Sequence, residues 1–399
     1  MRSWVKYILL SAVIIIFFGG GPLYIYLYAL FFTILFAQLW AQIALFRITI
    51  NRKIPDKGYF IGETIPICLE VKNIGRLPAL WIYIEDRLPL GLSGKEIKEV
   101  FSLGGMKKQV LSFSVRACER GLYHFSPLKI MSGDILGLFH YRKECISQEE
   151  VIVFPRYKKI VFTDIGFMGL NALTKANMSF VTDPLVVIGS RDYQKGDPLK
   201  HIDWKATART QSLKTRQIEY RKSLACAILL NGNLNDYISQ DDFEKAIEIA
   251  ASLSKWLLDR NGEVALYSNG RNKLYLEDRS LPVLGTSIND DKNQFIRILN
   301  SLALLHVGHS YPLYKLLDRI QSELSLGTAL IFITPAVDNE LWRRIVIEKK
   351  KGREIWVVLT KRLMQKEKEM YKQKGNSLKI KVFYAVENEE VGVIEFQLL

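Results

Sequence analysis

Cysteine is scarce in this chain: four residues, at positions 68, 118, 145 and 226, none close to another. That scatter excludes a C-x-x-C redox pair and a zinc-binding pattern. It also argues against a disulfide framework and suits reduced thiols on the cytoplasmic side of a membrane. The apolar neighbours of Cys68 and Cys226 predict buried core thiols. No Walker sequence occurs, and no G-x-G-x-x-G follows a strand pattern, so a nucleotide site is not indicated. The histidines at 124, 140, 201, 306 and 309 are too dispersed for a catalytic set. No serine or cysteine has the context of a nucleophile elbow. Repeats and low-complexity segments are missing as well.

Negative charge is outweighed: the formal net charge is +14. A basic balance admits nucleic acid as one partner class. RNP, zinc-finger and Gly-rich RNA motifs are all absent, however. The excess of Lys and Arg reads better as a basic protein beside an anionic leaflet, and no nucleic acid is expected.

What the chain has in abundance is apolar sequence at its start. Residues 4–18 are almost wholly apolar, Gly19-Gly20-Gly21-Pro22 comes next, and a second run extends from Leu23 to about Phe46. At about 1.5 Å per residue the second run alone covers a bilayer core of roughly 30 Å. The Gly-Pro element reads as a tight reversal, which makes residues 1–47 a hairpin of two transmembrane helices. Arg2 and Lys6 lie at one end of the hairpin and Arg47, Arg52 and Lys53 at the other, while the turn carries no charge. The positive-inside rule then places both termini and the soluble body on the cytoplasmic side of the membrane. A cleaved signal peptide is disfavoured, because an A-x-A-like site is missing and a second apolar run begins at once.

Residues 48–160 alternate as β-structure does. Thr64–Lys72, Leu80–Asp86, Val110–Val115, Tyr123–Phe125 and Val151–Pro155 are separated by Gly, Pro and Asn breaks. This spacing predicts an all-β, Ig-like sandwich. Nothing in it looks catalytic; Gly133–Phe139 reads as a turn feeding a buried aromatic.

The most distinctive stretch is 189–209, within an expected linker of 161–222. Arg191, Tyr193, Gly196, Asp197, Asp203, Trp204, Lys205 and Arg209 stand out there, with charges of both signs in a short span. Asp197-Pro198 predicts a helix start, with Asp as N-cap and Pro at the first helical position; Ile202 and Trp204 read as apolar anchors. Two readings stay open. One is a buried ionic clamp tying the β-rich region to the C-terminal domain. The other is a docking surface or anion site using Arg191, Lys195, Lys205 and Arg209. No nucleophile or metal-ligand cluster accompanies the aspartates, so no catalytic residue is assigned.

The pattern R-x-Y-x-x-G-D-x-x-x-x-I-D-W-x-x-x-A-R, from Arg191 to Arg209, resembles the signature of the bacterial DUF58 family. The two apolar runs, the Arg120-Gly121 and Gly133–Phe139 turns and Phe154-Pro155-Arg156 resemble family features too. The resemblance implies a C-terminal von Willebrand A-like domain. It also implies partnership with MoxR-type AAA+ ATPases and transglutaminase-like membrane proteins.

From 223 to 399 strand and helix patterns alternate, with strands at Leu224–Leu230, Val264–Tyr267, Ala329–Thr334, Ile355–Thr360 and Leu378–Tyr384. Helical periodicity marks Asp241–Leu258, with Asp241 as N-cap, and also Gln294–Leu305 and Tyr311–Leu324. The alternation predicts an α/β fold with a doubly wound, mostly parallel sheet. In von Willebrand A-like domains an Asp-x-Ser-x-Ser turn and a second aspartate hold a divalent cation. The matching positions here are Asn231, Asn233 and Asn235, with Pro335 in place of the second aspartate. The metal site is therefore expected to be degenerate, and no metal or other cofactor is assigned; Asp236 and Asp338 are the carboxylates that could compensate. The expected function is a non-enzymatic, membrane-anchored adaptor whose cytoplasmic domain docks a partner, a MoxR-type ATPase, in envelope-related assembly. The alternative is an enzyme or anion-binding protein acting on a membrane-linked substrate through 189–209.

Overall fold

The computed structural model describes residues 13–14 and 23–399, apart from 147–148, 163–186, 195–196, 198, 219–223, 273–283, 287, 289–292, 307, 309–310, 326, 362 and 389–390. The described chain forms two compact units, Met1–Phe154 and Pro155–Leu399.

The first unit opens with helix α1, Leu23–Phe46. Within it Tyr28–Phe46 is long and apolar enough to cross a membrane by length and composition. The earlier apolar run, and the turn that would complete a hairpin, lie outside the described residues except for helical Val13 and Ile14. The last turns of α1 bury Ala37, Ala41, Ala44 and Leu45. Small side chains here let the helix approach the sheet beside it closely.

After Arg47 the chain turns to strands: β1 (Ile48–Lys53), β2 (Tyr59–Phe60), β3 (Thr64–Asn73), β4 (Ala79–Asp86), β5 (Leu92–Ser93), β6 (Ile97–Leu103), β7 (Lys108–Ala117), β8 (Gly121–His124), β9 (Leu128–Gly133), β10 (His140–Cys145) and β11 (Glu150–Phe154). They make three sheets, ordered β1-β3-β7-β5, β10-β9-β4-β6 and β2-β11-β8. Strand β3 shows why: Ile65, Ile67, Leu69 and Val71 are fully buried at every second position, so one face of the strand is core. An ion pair sits inside this unit, with Arg52 Nη2 2.6 Å from Asp86 Oδ1 and both side chains fully buried. Burial drives the Asp86 carboxyl upward, and Arg52 offsets only part of that. Cys68, expected in the core, is only partly buried; it lies on β3 with Sγ 3.6 Å from Ser112 Oγ. Its register on β3 alternates with the core-facing positions, which is why apolar neighbours misled.

The second unit contains β12 (Lys159–Phe162), β13 (Val187–Asp192), helix α2 (Trp204–Thr210), β14 (Lys214–Ile218), β15 (Leu224–Leu230), α3 (Gln240–Leu258), β16 (Gly262–Ser268), β17 (Arg271–Asn272), β18 (Leu284–Gly285), α4 (Gln294–Leu304), β19 (Leu305–His306), α5 (Leu313–Ile320), β20 (Ala329–Thr334), α6 (Asn339–Lys350), β21 (Ile355–Leu359), α7 (Gln365–Leu378), β22 (Lys381–Asn388) and β23 (Val393–Leu398). An eight-stranded sheet runs β12-β23-β22-β21-β20-β15-β16-β18. Its centre, β16-β15-β20-β21-β22, is parallel, while β18 and β23 are antiparallel to their inner neighbours. Strands β20 and β21 are buried along their whole length, as a parallel sheet covered by helices requires. Cys226 lies in β15, and full burial pushes its thiol up to about 12. The edge strand β12 belongs to this sheet, parallel to β23, although it falls at the expected end of the β-rich region. Helix α3 is capped by Ser239, whose Oγ accepts from Asp242 N, rather than by Asp241.

From β15 the chain moves through α3 to β16 on one side, and β20 pairs with β15 on the other. The carboxyl ends of β15 and β20 therefore flank a switch point, where open α/β sheets place their crevice.

Candidate functional site

The crevice is built on the residue that directly succeeds β15. Asn231 is buried, and its backbone N–H donates to Ile333 O on the neighbouring strand (2.9 Å). Its Nδ2 donates to Asp236 Oδ2 (2.8 Å) and to Thr334 Oγ1 (3.2 Å). Its Oδ1 accepts from Asn233 N (3.0 Å) and from Asn269 Nδ2 (3.4 Å). Asn269 closes the ring: its Oδ1 accepts from Gly232 N (2.7 Å), and its Nδ2 donates to Tyr311 O (2.6 Å). The Tyr237 hydroxyl donates to Asn231 O at 2.6 Å, and burial, with Asp236 and Asp242 nearby, pushes its pKa up. Gly232 has to be glycine, since a Cβ there would lie 2.5 Å from Gly270 Cα.

Asn231 and Asn233 thus come together at the crevice, with Thr334 at its far wall. Asn235 does not join them; it is exposed on a single 3-10 turn, Leu234–Asp236. Pro335 is buried after β20. Asp338 is occupied as the N-cap of α6, accepting from Leu341 N at 2.6 Å. Asp236 is the carboxylate that reaches Asn231. This donor set does not fit a hard divalent cation. An amide N–H points from Asn231 toward both Asp236 and Thr334, and the oxygens that remain are mostly neutral. Among the described residues no group of three or more His, Cys, Asp or Glu side chains is placed to hold a metal ion.

Asn269 and Tyr237 escaped the sequence reading. Asn269 comes just after β16 and meets Asn231 only through the parallel pairing of β15 with β16. The Ser268-Asn269-Gly270 break after an apolar strand was the available signal.

The 189–209 stretch forms a separate element, in which β13 pairs antiparallel with β14 and α2 lies between them. Arg191 Nη2 sits 2.7 Å from Asp197 Oδ1, and Gln194 N donates to Asp197 Oδ2 at 3.0 Å. The Gln194 N–H, then the Arg191 guanidinium, hold the Asp197 carboxyl below its usual range. Asp197-Pro198 is followed by one 3-10 turn, Leu199–His201, and it is Asp203 that caps α2, accepting from Ala206 N (3.1 Å), while Ser190 Oγ donates to its other oxygen (2.6 Å). Those bonds, that of Ser190 first, lower the Asp203 pKa. The helix starts at Trp204 because only Asp203 has its carboxylate beneath the free amides.

Tyr193 N donates to Leu213 O (2.9 Å), pinning the ends of the two strands together. Gly196, with Lys195 and Pro198, lies outside the described residues. Ile202 is the buried anchor; Trp204 is 66% exposed. Lys205 and Arg209 are exposed as well. The ion pairs here are at the surface, so they hold this element's own shape without the desolvation cost of buried charges.

A third feature is a cleft of about 600 Å³ lined by charges of both signs, among them Asp242, Lys245, Glu248, Lys368 and Glu387. Beside it Lys158 Nζ pairs with Glu248 at 3.0 Å and with Glu387. Burial opposes the lysine's charge, yet the two carboxylates outweigh it and raise the pKa.

A family model described as "Protein of unknown function DUF58" matches residues 189–279, spanning the β13–α2–β14 element and the first strands of the sheet. Over that stretch the chain is similar to the DUF58 family. A similar protein is YeaD of Bacillus subtilis (strain 168), itself uncharacterised: 24% identical over 310 residues, covering 75% of this chain and 73% of YeaD. Among solved structures, the CARDB domain of the PF1109 protein from Pyrococcus furiosus is 18% identical, with a TM-score of 0.21. It covers 27% of this chain and 91% of its own. An alpha-2-macroglobulin fragment from Escherichia coli is 16% identical with a TM-score of 0.22, covering 28% of this chain and 17% of its own.

Proposed function

We propose that this chain is a membrane-anchored, non-enzymatic adaptor whose α/β unit docks a partner protein. The observation that carries the reading is the crevice at the β15/β20 switch point. It lies where an open α/β sheet offers a ligand site, and it is filled by the Asn231 amide and the groups bonded to it, Asp236, Thr334, the Asn233 N–H and Asn269. Strand order and direction support a von Willebrand A-like α/β domain whose cation site has been replaced by a network centred on the Asn231 amide, with Asp236 as its carboxylate. The β-rich unit reads as an Ig-like spacer. The apolar span Tyr28–Phe46 supports attachment to a bilayer. With Arg47, Arg52 and Lys53 at its end, the soluble body belongs on the cytoplasmic side of a bacterial plasma membrane. The family resemblance supplies the partner, a MoxR-type AAA+ ATPase, with a transglutaminase-like membrane protein in the same envelope-related assembly.

The test is affinity purification of the full chain from detergent-solubilised membranes, with co-purifying proteins identified by mass spectrometry. An AAA+ ATPase enriched over an untagged control is expected. Repeated purifications that recover the chain without one would remove the partner from the proposal.

A second reading is anion binding through α2, favoured by exposed Lys205 and Arg209 beside exposed Trp204. The Asp197 and Asp203 carboxylates are engaged within the element itself, each through both oxygens, so neither is assigned as acid or base.

A further inference from the structure

The first unit carries an apolar surface that its core does not use. Helix α1 buries Ala37, Ala41 and Ala44 on one face. On the other it exposes Phe36, Leu39, Ile43 and Phe46, a stripe at helical spacing that runs to the helix end. The sheet packed on the buried face therefore lies at the same height as lipid-facing positions of the span.

The turn between β9 and β10 sits at that height. Phe139, at its end, packs with Ala37 and Ala41, and Ile34 lies against the same cluster. The turn exposes Ile135 (76%), Leu136 (57%) and Leu138 together. Single exposed apolar residues are ordinary on soluble surfaces, but three in one turn beside an apolar helix are not.

Its backbone is also prepared for a water-poor setting. Asp134, buried beneath the turn, accepts from Leu136 N (2.9 Å), Leu138 N (3.4 Å) and Phe139 N (2.6 Å). Phe139 O in turn accepts from Asp134 N (3.2 Å). Amides left without partners would be costly in lipid. Gly137 takes the left-handed conformation that lets the turn close (φ +69°).

Further along α1, a cleft of about 510 Å³ runs between Ile43, Phe46 and Arg47 on one side and Tyr141, Arg142 and Lys143 on the other. Basic side chains at the end of an apolar span suit anionic headgroups, Arg142 also pairing with Glu144.

We propose that the Gly133–Phe139 turn is a second membrane-contacting element. Ile135, Leu136 and Leu138 insert into the leaflet that α1 enters, and Arg47, Arg142 and Lys143 meet its headgroups. The first unit is then seated in the membrane surface rather than tethered above it. The inference rests on the reading of α1 as a membrane span. Its occupant is the lipid itself: the turn exposes its apolar side chains at the height of the span's exposed stripe, and the basic rim complements an anionic leaflet.

The test places the photoreactive residue p-benzoylphenylalanine at one position at a time in the full chain. Leu136 probes the turn, and Leu39 probes the span. Leu90 is the control, 96% exposed and beyond the far end of β4 from the turn. The protein is reconstituted in vesicles of phosphatidylethanolamine and phosphatidylglycerol, irradiated, and analysed by mass spectrometry for lipid adducts. All three positions are exposed, so folding is not at risk. Adducts at 39 and 136 with none at 90 are expected. Adducts at 39 but not at 136 would overturn the inference and leave the anchor standing. No adduct at 39 would overturn the anchor and the inference together. Equal yields at 90 and 136 would show that lipid contact is not a property of the turn.

Discussion

Asn231 organises the crevice more than any other residue, because one buried side chain makes four hydrogen bonds to three separated parts of the chain. Replacing it with alanine leaves Thr334, Asn269 and the Asn233 amide without these partners in a buried setting. Asn233 Oδ1 already has no partner there, so the site has no slack. Asn231→Ala is expected to cost about 2–4 kcal/mol, read as a lower midpoint of thermal unfolding by circular dichroism. An unchanged midpoint would show that the network is not structural.

At the scale of elements, the β13–α2–β14 hairpin depends on Asp203, which caps α2 and accepts from Ser190 on β13. Its carboxyl is depressed in the folded chain. The stability it contributes is therefore fully present above the unfolded value, near 3.9, and is lost as pH falls through the lower folded value. The thermal midpoint of Asp203→Ala should lie below that of the native chain at neutral pH, and the gap should close in acid. A gap that persists unchanged well below the ordinary carboxylate range would contradict this assignment.

Elements with strong periodicity were legible in the sequence. Leu224–Leu230 and Ala329–Thr334 are the strands expected, residue for residue, because continuous apolar runs leave little choice of boundary. Helix α3 ends at Leu258 as read. Less legible were elements whose partners are distant. Strand β12 is completed by β23, more than two hundred positions later in the chain. Helix α7 reaches Leu378 where a strand was expected, and β22 begins only at Lys381. Asp197-Pro198 leads into a single 3-10 turn, Leu199–His201, rather than into α2, and the Asp197 carboxylate is taken by Arg191 and the Gln194 amide. At the crevice, Asn231 and Asn233 could be named through the resemblance, which implies a metal-binding turn after the first strand of the domain. Asn269 could not, since only sheet pairing brings it there.

The whole molecule joins an apolar span, a β-rich unit and an α/β unit whose crevice is held by amides. The central claim is that the crevice serves docking without a metal. An aspartate-built crevice would bind Mg²⁺ through carboxylate oxygens; this one presents Asn231 Nδ2 to Asp236 and Thr334. The most direct measurement is isothermal calorimetry of the full chain in detergent, titrated with Mg²⁺ into the millimolar range. No saturable heat is predicted. Saturable binding that disappears in the Asn231→Ala variant would contradict the claim.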